Sequence, residues 1–170
     1  MAAVETTHQG EMAMATELPI LISFELPEGW QPVSPDEVGA EGAAFVALNL
    51  ATQGSGFTAN ITIDGDRRPD ATLADLADAS ARDLAAATQE TTVVNREEVG
   101  GPEAPGLTQL LRLTTPVNDV VLELVQSQVY LAMPGAVVIR AILTSTEDQF
   151  ATVVPDFQKF VSTLQPDIGD

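Results

Sequence analysis

Acidic side chains are the most abundant groups in this chain that could do chemistry. There are 25 Asp and Glu residues against 7 Lys and Arg, which gives a formal net charge of −18. Carboxylates can act as general acids or bases, and they can bind hard cations such as Ca²⁺. One group of three, Asp64, Asp66 and Asp70, lacks the glycine placement and the distal Glu of a calcium-binding loop. We interpret this segment as a turn before a helix and predict no metal site.

The other groups used in catalysis are scarce. The chain has no cysteine, which excludes disulfides, thiolate metal sites and cysteine nucleophiles. His8 is the only histidine and Lys159 the only lysine, so the usual nucleophile–base pairs are lacking. Gly54-Ser55-Gly56 is not followed by the Lys-Ser/Thr ending of a phosphate-binding loop. The sequence therefore predicts a protein that is not an enzyme and has no cofactor.

The negative charge also limits the partners. Nucleic acid and anionic membranes are bound by clustered Lys and Arg, so we expect no nucleic-acid binding. No apolar run approaches the roughly 20 residues of a membrane-spanning helix, so we expect no membrane insertion. Residues 1–17 contain neither the basic n-region nor the apolar core of a secretion signal. This predicts a cytoplasmic protein, with a secreted form whose signal has been removed as the alternative.

A long β-hairpin is predicted at the centre of a sheet, over residues 118–145. Two runs rich in β-branched residues are joined there by Met133-Pro134-Gly135-Ala136. The second run has apolar residues on both parities, with Arg140 and Thr144 on one of them, which indicates a strand at least partly covered on both faces. A two-residue loop would place Arg140 opposite Val129, but Pro-Gly suits a tight hairpin poorly, which favours a longer loop or a bulge. The face on which Arg140 lies is left open.

Patterns elsewhere predict a disordered tail over residues 1–17 and a single α+β domain over residues 18–166. Strands are predicted at residues 18–26, 43–51, 57–64, 91–99 and 106–115. The strand at 57–64 alternates apolar and polar residues, so we expect it toward a sheet edge. Helices with capping boxes are predicted after Thr72 and Thr146. Pro155 predicts either a kink in the second helix or a helix that begins at the proline.

Three strands, a helix, four strands and a helix predict an antiparallel sheet of about six to seven strands flanked by two main helices. Four segments carry a resemblance: FELPEGW, the pair AAFVALNL and FTANITI, TLADLADASARDL, and FQKFVSTLQP. Together they are similar to the Mog1/PsbP-like superfamily, in particular to LpqN/LpqT-type and DUF1795/Eag-type chaperone-like proteins. The resemblance implies an α/β/α sandwich with no catalytic set, acting as an adaptor, secretion chaperone or assembly factor.

The predicted function is a chaperone- or adaptor-like binding module that presents a sheet face to a protein or peptide partner. A small-ligand carrier and a structural homodimer are the alternatives. Arg112 and Arg140 lie in apolar strands, where a cation is costly unless a polar group meets it. Each arginine either pairs with a carboxylate such as Glu123 or belongs to a docking surface, whose candidate residues are Arg112, Leu122, Leu124, Gln126, Gln128, Tyr130 and Arg140.

Trp30 completes the candidate partner-binding residues. As the only tryptophan, set in a turn-rich segment, it is interpreted in two ways. It either faces a ligand or covers the edge of the core and finds one partner for its indole N–H.

Overall fold

The computed structural model describes residues 2–3, 18–35, 43–54, 56–68, 70–101, 104–117 and 119–166. These residues form two helices, α1 (Leu73–Ala87) and α2 (Glu147–Thr163), and a 3₁₀ turn at Leu50–Thr52. Their strands are β1 (Ala2–Ala3), β2 (Ile22–Phe24), β3 (Trp30–Val33), β4 (Phe45–Asn49), β5 (Asn60–Arg67), β6 (Glu90–Gly101), β7 (Ala104–Val117), β8 (Val120–Met133), β9 (Val137–Thr146) and β10 (Gln165–Pro166).

Seven of the strands form one antiparallel sheet in the order β3-β4-β5-β9-β8-β7-β6. The predicted hairpin, β8 with β9, lies at its centre, because three strands continue the sheet beyond β9 and two beyond β8. β1, β2 and β10 form a second, small antiparallel sheet. The predicted α+β class with an antiparallel sheet and two main helices is confirmed.

The turn between β8 and β9 determines the register that the sequence left open. Pro134, Gly135 and Ala136 connect Met133 to Val137, and these two residues pair directly. Gly135 and Ala136 have φ angles of 79° and 62°. This left-handed conformation costs a residue with a Cβ about 1–2 kcal/mol, whereas glycine adopts it readily. The longer loop is therefore the correct alternative.

One face of the sheet packs against α2 through an apolar cluster rich in aromatic rings. The ring centroid of Phe24, on β2, lies 5.0 Å from that of Phe45 on β4 and 5.0 Å from that of Phe160 on α2, both in edge-to-face arrangement. Ile61, Ile63, Ile139, Leu143, Val153 and Phe157 belong to the same cluster. The small sheet is thereby packed into the same core as α2.

Helix α2 begins at the predicted capping box and not at Pro155. Thr146 Oγ1 accepts from the backbone N–H of Gln149 at 3.2 Å, and Gln149 Oε1 accepts from the backbone N–H of Thr146 at 3.0 Å. This capping box begins the helix at Glu147, and Pro155 lies inside the continuous helix. The alternative in which the helix begins at Pro155 is wrong, because the N-terminal N–H groups are already capped upstream.

The opposite face of the sheet packs against α1. The predicted capping box is present: Thr72 Oγ1 accepts from Asp75 N at 3.0 Å, and Asp75 Oδ2 accepts from Thr72 N at 3.2 Å. The apolar stripe of α1 then meets residues of β7, β8 and β9 in two clusters, which include Leu73, Leu76, Ala77, Ala81 and Leu84 from α1 and Leu107, Leu111, Leu113, Leu124, Tyr130 and Val138 from the strands. The sheet is thus covered by a helix on each side.

Two expectations for the strands before α1 are wrong. Residues 30–33, predicted as part of a turn-rich segment, form the edge strand β3, whose Pro32 is tolerated because an edge strand needs hydrogen bonds on one side only. β5 is not near an edge but lies between β4 and β9. Its polar residues Thr62 and Asp64 point to the α1 side, where Asp64 meets a polar partner, Arg140, instead of open solvent.

The boundaries of the early strands also differ from the prediction. β5 continues to Arg67, so residues 64–67, predicted as part of a turn, are strand. The first predicted strand is reduced to three residues, Ile22–Phe24, and it belongs to the small sheet. Most of the predicted tail, residues 1 and 4–17, lies outside the described residues; the backbone of Ala2–Ala3 pairs with β2.

Replacing Phe160 with Ala should lower the free energy of unfolding by about 3–5 kcal/mol, because its ring is fully buried between α2 and β2. Urea denaturation measures this change. Gln158→Ala, an exposed position on the same helix, is the matched control and should change stability by less than about 0.5 kcal/mol. Equal effects of the two variants would contradict a core role for Phe160.

Deleting residues 1–16 should lower the melting temperature by no more than about 4 °C, which corresponds to roughly 1 kcal/mol for a domain of this size. Within the described part of this segment, the deletion removes the pairing of Ala2–Ala3 with β2. The pairing of β2 with β10 on its other side remains. Differential scanning calorimetry of the full and shortened chains tests this. A much larger decrease would show that the segment is integral to the domain.

Candidate functional site

The observed register places several polar side chains on the face of the sheet that α1 covers. Directly paired residues share a face, so Gln109 on β7 and Gln128 on β8 lie in one row across the strands. Leu107, Tyr130 and Arg140 form a neighbouring row. These rows bring together side chains that are up to 33 positions apart in the sequence.

Gln128 is buried between α1 and the sheet with all its amide hydrogen-bonding groups engaged. Its Oε1 accepts from Tyr130 Oη at 2.7 Å and from Gln109 Nε2 at 2.8 Å. Its Nε2 donates to Ser80 Oγ on α1 at 3.0 Å and to Gln126 Oε1 at 2.6 Å. Because both lone pairs and both N–H groups are used, this amide is not available to a ligand. It holds α1 on the sheet.

Gln109 extends this polar network to the surface. Its Nε2 also donates to the backbone carbonyl of Ala77 on α1 at 3.1 Å, and its Oε1 accepts from Arg96 Nη2 at 2.8 Å. Arg96 Nη1 in turn donates to Asp78 on α1 at 2.7 Å. The guanidinium of Arg96 thus joins β6 to α1 at the exposed edge of the network.

Arg140 ends the network on the other side. Its Nη2 and Nε donate to Asp64 Oδ2 at 2.7 and 3.1 Å, and its Nη1 donates to Ser80 Oγ at 3.3 Å. Burial by itself would lower the pKa of this guanidinium, but the Asp64 carboxylate and the Tyr130 hydroxyl outweigh that effect and raise it. Arg140 therefore keeps its charge across the physiological pH range, and a small hollow of about 210 Å³ opens beside it.

Arg112, expected beside Arg140 in the docking surface, lies on the opposite face of the sheet. Arg112 pairs with Val125 of β8. Val125 and Val129 are four positions apart on that strand, so they lie on the same face, and Val129 belongs to the core against α2. The Arg112 guanidinium forms an ion pair with Glu147 in the first turn of α2 and is exposed. Each arginine therefore pairs with a carboxylate, as one alternative expected, but the partners are Glu147 and Asp64 and not the example given, Glu123.

The remaining candidate residues divide between a shared face and the core. Leu122, Leu124, Gln126, Gln128, Tyr130 and Arg140 do lie on one face. Leu124, Gln128 and Tyr130 are buried beneath α1, so a partner would have to displace that helix to contact them. Trp30 is buried on the α2 side and donates its indole N–H to Asp156 Oδ2 at 3.0 Å, as its core interpretation expects.

An open groove lies where the sheet extends past the N-terminal end of α1. Its volume is about 780 Å³. Apolar side chains predominate in its lining. The lining residues are Arg68 and residues 71–74, 98–101, 105–107, 132–133 and 136–138. The start of α1 therefore forms one wall, the end of the β6–β7 hairpin a second and the β8–β9 turn a third.

Hydrogen bonds and close packing at the backbone shape two of these walls. Arg68 N donates to Ala136 O at 2.8 Å, and Arg67 Nη1 donates to Gly135 O at 3.1 Å, so the end of β5 supports the β8–β9 turn. In the β6–β7 hairpin, a Cβ on Gly106 would lie 3.0 Å from Val99 Cγ2 and 3.1 Å from the backbone oxygen of Tyr130. The absence of a side chain at Gly106 allows the hairpin to pack this closely.

The groove runs across the strands and has a charged residue at each end. Glu98 belongs to the edge strand β6, and Arg68 directly follows β5. Four inter-strand steps separate β6 from β5, so the groove spans about 19 Å at about 4.8 Å per step. A short segment of polypeptide matches this length better than a compact metabolite does.

Neither the network nor the groove contains an arrangement typical of catalysis or metal binding. Within the described ranges, no three His, Cys, Asp or Glu side chains are grouped closely enough to hold a metal ion. The carboxylates of Asp64 and Asp78 are both engaged by arginines. Neither helix described here has the length and apolar character that crossing a bilayer requires.

Sequence reasoning did not find the groove. Its residues come from six separate segments, and the sequence pointed to two of them only for structural reasons, the hairpin turn at residues 133–136 and the helix start at Thr72. Glu98, Leu107 and Val138 each look like ordinary strand residues. Only the pairing of β6 with β7 and of β8 with β9 brings them to one end of the sheet.

Solved structures of three proteins share this fold along most of their length. CyanoP, the cyanobacterial PsbP of Synechocystis, is 22% identical over 85% of this chain and 86% of its own, with a TM-score of 0.59. LpqN of Mycobacterium tuberculosis, involved in cell envelope biogenesis, is 11% identical over 89% and 86%, with a TM-score of 0.60. Mog1p, a Ran-binding protein of Saccharomyces cerevisiae, is 13% identical over 85% and 89%, with a TM-score of 0.59.

The chain therefore has the Mog1/PsbP-like α+β fold, as its sequence resemblance implied. Comparison with protein-family models and with curated protein sequences gives no match. At these identities the structural likeness establishes the fold alone.

Replacing Arg140 with Ala should lower the free energy of unfolding by about 1–3 kcal/mol, because Asp64 would be left half-buried without its charged partner. Arg112→Ala removes an exposed ion pair and should cost less than about 1 kcal/mol. Urea denaturation of both variants measures the difference. If Arg112→Ala is the more destabilising variant, the structural importance assigned to the Arg140 network is wrong.

Proposed function

We propose that this protein is a non-catalytic, chaperone- or adaptor-like binding module that holds a segment of a protein partner in the groove at the end of its sheet. The observation that carries the proposal is the apolar floor of the groove, formed by the half-buried Ala132 and Val138 past the start of α1, next to the buried Leu107. A well-formed concave site with a mostly apolar lining and few polar groups is typical of a binding site.

The groove continues the sheet face that the sequence suggested as a docking surface. Leu107 pairs with Tyr130 and Tyr130 with Arg140, so the buried network lies directly beside the groove floor. Leu122 and Leu124 pack near Leu84, toward the other end of α1. The proposed site thus moves from the covered part of the face to its open end, and direct partner contacts by Arg112 and Trp30 remain predictions.

Three observations support a protein partner over a small metabolite. The groove is long and lies at the sheet margin, with exposed residues such as Glu98 and Ala136 among those that line it. Mog1p, a Ran-binding protein, has the same fold. The polar groups beside the groove are already paired with one another, so they offer few free donors or acceptors for specific recognition of a polar metabolite.

Selection of random peptides on the immobilised protein tests the proposal. Peptides with an apolar run should be enriched on the native chain. Ala74→Trp, which places a large ring at the groove wall, should reduce that enrichment at least about tenfold, which corresponds to a loss of about 1.4 kcal/mol in binding. Ala85→Trp, an exposed position on the same helix away from the groove, is the matched control and should bind as the native chain does.

Three outcomes would overturn the proposal. The first is equal enrichment on Ala74→Trp and Ala85→Trp, which would place the binding surface elsewhere. The second is an absence of enrichment together with a thermal shift caused by a metabolite, which would favour the small-ligand carrier. The third is concentration-dependent dimerisation that is lost in Ala74→Trp, which would favour the homodimer.

A further inference from the structure

The charge on the groove defines the kind of segment that would occupy it. Glu98 pairs with Leu107 of β7, so its side chain lies on the same face as the groove floor. It is exposed, and it forms no salt bridge with any of the basic residues in the described part of the chain. One end of the groove therefore presents a carboxylate that no described basic side chain neutralises.

The charge at the other end of the groove is compensated. Arg68 Nε lies 3.4 Å from Asp66 Oδ2, and both side chains are exposed. The Asp75 carboxylate near the groove wall is held by the backbone N–H of Thr72 in the capping box. Glu98 is thus the charged group of the groove that is free to meet a partner.

The charge of the whole chain acts in the same direction. With a net charge of −18, the protein repels anionic segments and attracts cationic ones over distances up to about a Debye length. The apolar floor favours apolar side chains over the length of the groove. An extended segment of about six residues spans 19 Å at about 3.3 Å per residue.

We infer that the groove binds an apolar peptide segment of a partner protein that carries an arginine or lysine at one end, with the basic side chain against Glu98. This inference rests on the proposed function, since it specifies the occupant of the same groove. Apolar side chains of the segment contribute buried area on Ala132 and Val138. The single ion pair sets the direction in which the segment lies.

The charge of Glu98 can be separated from the charge of the whole protein by a matched pair of variants. Glu97 is the neighbouring exposed residue on β6, but it pairs with Thr108 and so lies on the opposite face of the sheet. Glu98→Lys and Glu97→Lys change the net charge by the same amount. Only Glu98→Lys reverses the charge inside the groove.

The test repeats the peptide selection on the native chain and on both variants at the physiological ionic strength of about 0.15 M. Apolar peptides with a terminal Arg or Lys should be enriched on the native chain and on Glu97→Lys. On Glu98→Lys that preference should disappear or change to Asp and Glu. An enriched peptide should then bind the native chain up to about fivefold more tightly than its Arg→Gln version, the upper range for one exposed ion pair.

The outcomes separate this inference from the proposed function. If enrichment depends on the groove, as Ala74→Trp reports, but Glu98→Lys and Glu97→Lys select the same peptides, the groove binds apolar segments and the inference about charge is wrong. If Ala74→Trp has no effect, both are wrong. Circular dichroism and melting curves of each variant confirm that the comparison is made between folded proteins.

Discussion

The three-residue turn at Pro134-Gly135-Ala136 is the constraint on which the rest of the structure depends. Side chains alternate between the two faces of a strand, so a shift of one residue in this hairpin would exchange every contact of β9. With Met133 opposite Val137, Ile139 faces the aromatic core against α2 and Arg140 faces α1. The strained φ of Ala136 is the local cost of a turn that places both sets of side chains correctly.

The two helices are attached to the sheet by different interactions. α2 is held by edge-to-face rings and branched aliphatic side chains, which pack well in many similar arrangements. α1 has a smaller apolar interface and adds a network of buried amides in which Gln109 and Gln128 use all their donors and acceptors. Such a network is satisfied in only one position of the helix, so it specifies where α1 begins and ends over the sheet.

The position of α1 creates the groove. The Thr72 capping box fixes the N-terminal end of α1. The hairpin beside it is longer, because β6 continues to Gly101 and β7 begins at Ala104. The strand ends therefore extend past the helix and leave Ala132, Val138 and the β8–β9 turn accessible at its margin. An edge strand is also exposed to unwanted pairing, and β6 carries a bulge between Val93 and Asn95 together with charged residues that disfavour it.

The sequence alone determined the type of the main elements apart from β3, the central hairpin, both capping boxes and the resemblance to this fold. Each of these depends on residues close together in the chain: alternation in β5, the helical stripe that includes Phe157 and Phe160, and the spacing of Thr72 and Asp75. The sequence also favoured the pairing of Trp30 N–H, although it could not identify Asp156 as the acceptor.

Tertiary structure alone decided the register, the place of β5 in the sheet and the site. The pairing of distant strands places Gln128 on the face that α1 covers and puts Arg112 and Arg140 on opposite faces. It also places Glu98 opposite Leu107. Local patterns do not encode such pairings, because a one-residue slip leaves the alternation of a strand unchanged while reversing the direction of every side chain.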